Sequence, residues 1–237
     1  MEPDPANHIS GEARNVAIIL DGNARWAEQR GLPIAEGHRA GTRAVRRTVE
    51  AAIELGVRSL ALYAFSTENW ARPPDEVEAL MAIFDETIDR ELPDLAAQGV
   101  RTRFIGRRDR APDDLRRKIE QLEATTAANE RLQLWIAFDY GGRAELVEAA
   151  RRLVGDGVPA DAIDEERFAS FLYAPEMADP DVLVRTSGER RISNFLLWQL
   201  AYAELIFVET LWPDFGEDEL RSALDEYARR RRRFGGR

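Results

Sequence analysis

Three short stretches of this 237-residue chain carry the side chains best suited to chemistry, and each directly follows an apolar run. The first is Asp21-Gly22-Asn23-Ala24-Arg25-Trp26, after the five apolar residues Val16 to Leu20. The second is Ser66-Thr67-Glu68-Asn69-Trp70-Ala71-Arg72, after Ser59 to Phe65. The third places Arg185, Ser187, Glu189, Arg191 and Ser193 in one turn, after Val182 to Val184. Arginines and hydroxyls in such turns bind phosphate oxygens, the guanidinium two at a time. Asp21 would repel a bare phosphate, so a carboxylate beside an anion site points to a divalent cation between them, Mg²⁺, and to a diphosphate. Each turn alone is also ordinary capping and turn chemistry. What points to a ligand is that three of them fall at strand ends.

The elements that must position these turns are an α/β set. Apolar runs such as Val16–Leu20 and Ser59–Phe65 suit strands buried on both faces of a parallel sheet, where ligands sit beyond the strands' carboxyl ends and helix N-termini favour anions. Helices are expected over Gly37 to Gly56, Asp75 to about Leu95, Pro112 to Ala128 and Gly142 to Val154, with a short one capped by Asp164. His38, following Gly37 at an expected helix start, offers a further anion contact. Val100–Ile105 and Leu132–Phe138 read as strands, and Glu204 begins the run into the sixth. The helix from Asp75 has an apolar face broad enough to line a cavity as well as pack on the sheet. No repeat or linker divides the chain, so one domain over residues 15–237 follows, with residues 1–14 as a disordered tail.

Composition narrows the function. A net charge of −10 with a pI near 4.9 argues against general affinity for nucleic acid, which needs a concentrated basic surface. The absence of cysteine excludes disulfides and thiolate metal sites and suits a cytoplasmic setting, while leaving hard-cation binding through oxygen. No run approaches the roughly 20 apolar residues of a membrane-spanning helix. The Gly-x-Gly-x-x-Gly turn of a dinucleotide-dependent dehydrogenase follows none of the strands.

On these residues the chain resembles the cis-prenyltransferases, the isoprenyl transferase family. The likeness runs from about Asn15 to Gly236 and rests on six motifs in order: DGNARWA from Asp21, GHRAG from Gly37, YAFSTENWARP from Tyr63, YGGR from Tyr140, RTSGERRISNFLLWQLAYAEL from Arg185, and RRFGG near the end. The resemblance implies a homodimer with a parallel six-stranded sheet flanked by helices. The implied reaction joins isopentenyl diphosphate to an allylic diphosphate with a new cis double bond, making a polyprenyl diphosphate of the undecaprenyl type. It further implies that Asp21, Arg25 and the loop to Trp26 bind the allylic diphosphate, and that His38, Ser66, Asn69 and Arg72 lie near the condensing carbons. Thr67, Glu68 and Trp70 belong to the same substrate-binding loop. Asn69 is the participant in proton removal, Arg185, Arg191 and Ser193 hold isopentenyl diphosphate, and Glu204 shares Mg²⁺ with Asp21. Product release would involve transient membrane contact. Two positions depart from the family pattern: Ala24 stands where many members have glycine, and Ile34 where many have an arginine that binds the allylic diphosphate.

A non-catalytic subunit of a prenyltransferase complex would be expected to lack Asp21, Asn69 or the Arg185–Ser193 set, and all are present. An all-helical trans-prenyltransferase would need paired Asp-x-x-Asp clusters, which the chain lacks. Chain length is left between a long polyprenyl product and a short one. The resemblance implies an apolar tunnel between the Asp75–Leu95 helix and the Leu132–Phe138 strand, whose upper part small Ala64 would leave open and whose wall would include Phe138. Asp21, in a solvent-facing loop, is expected to be dispensable for folding, and the arginine-rich tail at 229–237 is expected to serve the partner subunit's site.

Overall fold

The computed structural model describes residues 13–230 of the chain. Strand β1 (Asn15–Ile19) leads into α1 (Asn23–Gln29) and α2 (Ile34–Glu54), then β2 (Ser59–Ser66), a 3₁₀ turn (Thr67–Ala71) and α3 (Pro74–Ala97). Next come β3 (Val100–Ile105), α4 (Asp113–Thr125), β4 (Leu132–Tyr140) and α5 (Gly142–Gly155). The last third holds α6 (Glu165–Ala169), β5 (Val182–Arg185), β6 (Glu204–Phe207) and α7 (Glu217–Arg229).

The six strands form one sheet in the order β3-β4-β2-β1-β5-β6, and every pair is parallel. Alternate residues on each strand face opposite sides, so the continuous apolar runs serve two cores. Val16, Ile18, Leu60, Leu62, Leu134 and Val184 pack under α2 and α7. Ala17, Ile19, Ala61, Tyr63, Trp135 and Leu183 pack under Phe195, Leu196 and Met177. A register shift between Tyr63 and Phe65 breaks this alternation near the end of β2 and brings Phe65 level with Phe138. Both rings join a third cluster with Leu80 and Ile88 of α3 and Leu115 and Ile119 of α4.

Several boundaries differ from expectation. α2 starts at Ile34, directly after Pro33, so Gly37 and His38 lie inside the helix and no helix N-terminus opens at His38. Ala13 is buried and the Arg14 N–H donates to Asp181 Oδ2 at 2.9 Å, so the end of the expected tail is already part of the fold. The remainder of that tail, residues 1–12, and the tail beyond Arg230 lie outside the described residues, as does the expectation that the latter serves a partner.

Candidate active site

The loops after β1, β2 and β5 converge at the carboxyl end of the sheet, as the three motifs predict. β1 sits between β2 and β5, so Asp21 meets both neighbouring loops. Its N–H donates to Thr186 Oγ1 at 2.8 Å, and its C=O accepts from Thr186 Oγ1 at 2.7 Å and from the Trp212 N–H at 3.0 Å. Gly22 then turns at φ 112°, a region glycine enters without penalty, and a Cβ there would lie 2.9 Å from the Leu211 side chain. α1 follows at once. Its first intrahelical bond is from the Trp26 N–H to the Gly22 C=O, so the N–H groups of residues 23–25 have no acceptor within the helix.

Two arginines flank Asp21. Arg185, 3% exposed, donates through Nη2 to Asp21 Oδ2 (2.8 Å) and through Nη1 to the Arg191 C=O (2.6 Å) and Ser193 Oγ (2.7 Å). Arg25 donates to Ser187 Oγ (2.5 Å) and to the Ser187 C=O (3.1 Å), with Asp21 Oδ1 3.9 Å away. Asp21 therefore neutralises a buried guanidinium, which corrects the expectation that its removal would leave stability untouched. Among the described residues, Oδ1 has no hydrogen-bond partner of its own. A single free carboxylate oxygen suits Mg²⁺, which takes few protein ligands and completes its shell from phosphates and water. Among the described residues no group of three His, Asp or Glu side chains forms a complete metal cage.

Glu204 cannot join Asp21 within one chain. It pairs with Val182 and hence stands level with Val16, at the opening end of β1. Asp21 lies beyond the other end of β1, five residues past Val16, a separation of roughly 15 Å along the strand direction. The Glu204 carboxylate is instead held by Arg230 Nη1 at 2.9 Å.

Asp21, Asn23, His38, Ser66, Glu68, Asn69, Arg72, Arg185, Arg191, Ser193 and Asn194 line one cleft of about 560 Å³. Asn69 Oδ1 accepts from the Ser66 N–H at 2.9 Å, which leaves its NH₂ for a ligand. His38 Nε2 stands 3.8 Å from Glu76 Oε1, beyond hydrogen-bond reach. Burial and the neighbouring Arg72 charge lower the His38 pKa from its ordinary 6.5, more than Glu76 raises it. Gly22, Ala24, Arg25, Trp26, Thr67 and Trp70 are not on this wall, although Arg25 reaches its edge through Ser187 and Asp21. Trp26 donates from Nε1 to Asp214 Oδ1 at 2.7 Å with Arg30 over its ring. Trp70 is a packing residue: its ring meets Phe65 edge-on at 5.2 Å, and its Nε1 donates to buried Asp139 at 2.9 Å.

Asn194, not singled out from sequence, ties the site together. Its Nδ2 donates to Glu68 Oε1 (3.0 Å), its Oδ1 accepts from the Arg143 N–H (2.8 Å) and its C=O accepts from the Gly142 N–H (2.7 Å). Partial burial pushes the Glu68 carboxyl up, but hydrogen bonds from Asn194, its own backbone and Thr67 outweigh this and hold it below the usual range. The glycines of YGGR permit the contact, since a Cβ on Gly141 would lie 2.6 Å from Thr67 Oγ1 and one on Gly142 2.6 Å from Leu197 Cγ. Available signals were the adjacency to Ser193 and a left-handed conformation that Asn tolerates, φ 64°.

Leu20, Asn23, His38, Ala64 and Leu80 also line a second space, an apolar cavity of about 150 Å³ between α2, α3 and the sheet. Ala64, Leu62, Leu134 and Ile136 form its sheet side. Phe138 is not on its wall; it stacks on Phe65 at 5.6 Å and meets Phe84 edge-on at 5.1 Å, behind the cavity.

Residues 19–235 match the family model described as putative undecaprenyl diphosphate synthase. The chain belongs to this prenyltransferase family. It is 51% identical over 226 residues to a ditrans,polycis-undecaprenyl-diphosphate synthase ((2E,6E)-farnesyl-diphosphate specific) of Xanthomonas axonopodis pv. citri, covering 94% of this chain and 88% of that one. To an isoprenyl transferase of Thermotoga maritima it is 46% identical, covering 94% and 97%. Among solved structures, lavandulyl diphosphate synthase from Lavandula x intermedia, in complex with dimethylallyl diphosphate, superposes with a TM-score of 0.92 at 37% identity, covering 95% of this chain and 99% of that one. A probable undecaprenyl diphosphate synthase from Campylobacter jejuni superposes with a TM-score of 0.80 at 33% identity, with the same coverage. A prenyltransferase needs a cation-rich end and an apolar end in contact, and the cleft and cavity share five wall residues.

Proposed function

We propose that this chain condenses isopentenyl diphosphate with an allylic diphosphate such as farnesyl diphosphate, repeatedly and with cis geometry, to give an undecaprenyl-type polyprenyl diphosphate. The observation that carries this reading is the shared wall between a cleft lined by Arg72, Arg185 and Arg191 and an apolar cavity, which matches a molecule with a diphosphate head and a hydrocarbon tail.

In each condensation the allylic C–O bond breaks, and its electron pair leaves with the diphosphate. The isopentenyl double bond supplies the pair for the new C–C bond, and the proton lost from the isopentenyl C2 goes to a departing diphosphate oxygen. Mg²⁺ held by Asp21 would neutralise charge on the diphosphate. Arg25 and the unbonded N–H groups at the start of α1 hold the allylic diphosphate, a task they carry with Ile34 in place of an arginine. Arg185, Arg191 and Ser193 hold isopentenyl diphosphate. Asn69 presents its NH₂ and so donates to an oxygen, positioning the proton acceptor without taking the proton itself. His38, neutral through burial, stands where the head site meets the cavity.

The working form in this reading is a cytoplasmic homodimer. Its support is β6, which among the described residues is a sheet edge paired with a strand on one side only, where Leu205 is 37% exposed and neighbouring Tyr202 77%. Among the described residues no helix is long and apolar enough to cross a membrane, so release of a long product would take place by surface contact.

The test is incubation with labelled isopentenyl diphosphate and separate allylic primers, with Mg²⁺ or with a chelator, reading product length and double-bond geometry. Failure to incorporate label with any primer overturns the proposal. A second reading, a short-chain cis-prenyl diphosphate synthase, is favoured by the small cavity of about 150 Å³; products arrested after the first condensations in the same assay select it.

A further inference from the structure

The apolar cavity is too small for a long product. At about 150 Å³ it matches an engineered protein cavity that admits a ligand the size of benzene. A polyprenyl chain many times that size fits only if a wall moves.

The walls are unequal. On one side Leu62, Leu134 and Ile136 belong to hydrogen-bonded strands at the middle of the sheet. α2 is anchored to that sheet by Ala44, Val49, Ala51 and Ala52, all at most 3% exposed, and by Trp212 Nε1, which donates to the Gly41 C=O at 2.9 Å. The far part of α3 meets α2 through polar contacts on its outer side, with Leu95, alone among the described residues of 91–97, packing against the core beneath α2. Arg46 of α2 pairs with Asp94 and lies 3.7 Å from Glu91, and Arg90 Nη2 donates to Thr42 Oγ1 at 3.3 Å. The Arg46 side chain is 42% exposed, so salt screens this seam. Arg46, Glu91 and Asp94 also line the cavity. His38 meets Glu76 near the start of α3, and Glu91 and Asp94 lie about four and five helical turns further on. Between them stands Pro93, which removes a helical N–H bond and lets the end of α3 bend.

We propose that the Arg46–Glu91–Asp94 seam sets product length: closed, it limits the chain to what the present cavity holds, and its opening lets the growing chain pass between α2 and α3. The proposal rests on the prenyltransferase reading above and adds to it a specificity-determining contact remote from the diphosphate site.

The test compares product lengths from the wild type, Arg46→Gln, Asp94→Asn and the control Arg43→Gln. Arg43 is an exposed residue of the same helix with no ion pair among the described residues. Arg46→Gln and Asp94→Asn are expected to raise the ratio of long to short products, and Arg43→Gln to keep the wild-type pattern. Added potassium chloride should raise the ratio in the wild type and have little further effect in the two seam variants. If Arg46→Gln fails to fold, Asp94→Asn decides alone. Unchanged ratios in folded seam variants overturn the proposal.

The chain contains no cysteine, so Arg46→Cys with Asp94→Cys can be bridged cleanly by a short, reductant-cleavable bismaleimide. Bridging should truncate the product, and cleavage should restore it. Full-length product from completely bridged protein, or loss of the first condensation together with the later ones, overturns the assignment to length. If the wild type incorporates no isopentenyl unit under any condition, the prenyltransferase reading fails and not the seam alone.

Discussion

Arg185 Nη2 and Asp21 Oδ2 lie 2.8 Å apart, joining the loop after β5 to the loop after β1. The carboxylate placed to meet a cation is thus also the counter-charge of a guanidinium with a 4% exposed side chain. In the proposed mechanism, catalysis and stability therefore share one side chain.

Asp21→Ala should abolish turnover and also destabilise the fold by about 1–3 kcal/mol, because Arg185 keeps its bonds to the Arg191 C=O and Ser193 Oγ but loses its charged partner. Asp21→Asn should recover much of that stability without recovering activity. Urea titrations beside turnover assays check this; substantial turnover in Asp21→Asn would contradict the role given to the charge.

Gly37 is where α1 rests on α2. A Cβ there would stand 2.1 Å from the Asn23 C=O, a backbone atom that no rotamer change can move. Gly37→Ala should cost about 1–3 kcal/mol through displacement of α1. The KM for the allylic diphosphate should rise more than kcat falls, since the displaced residues are those expected to hold that group. An unaltered KM would separate α1 from allylic diphosphate binding.

Phe138→Ala is expected to destabilise the protein by about 3–5 kcal/mol, as for a buried ring packed between Phe65 and Phe84. Product length should not change, because the ring is not on the cavity wall. Longer products from a variant of nearly native stability would restore Phe138 to the tunnel.

His38 gives the fold a pH dependence. Its folded pKa lies below the ordinary 6.5, so at acidic pH the unfolded chain binds a proton that the folded chain resists. This contribution is neutral above pH 6.5, and stability is lost as pH falls from there towards the lowered folded value. Denaturation of the wild type and His38→Gln across that range should show a shallower acid loss in the variant. Parallel curves would remove His38 as the cause.

The turns after β1, β2 and β5 were legible because long apolar runs locate strands, and the parallel arrangement puts the ends of those strands on one side. Other features depended on information that spacing does not carry. Glu204 opens its strand while Asp21 follows one, so parallel pairing sends them to opposite ends. The position of Phe138 depends on a register shift near Phe65 and on Asp139 at φ 47°, which defeat a count by strand parity. Trp70 carried the look of a site residue, but Asp139, far along the chain, holds its half-buried indole against the core. α2 was expected to begin at Gly37, although Pro33 already marked the earlier start.

The strand order β3-β4-β2-β1-β5-β6 has a consequence for biosynthesis. Asp21 leaves the ribosome early, whereas Arg185 is 164 residues further along. Until β5 emerges, β1 has an unpaired edge at the heart of the future sheet, and Asp21 lacks its hydrogen-bonded partner Arg185. A nascent chain stopped before Arg185 can build the four strands β3-β4-β2-β1 but not the head-group site, so an unfinished polypeptide would release no partial activity and would present a strand edge to chaperones or to its neighbours.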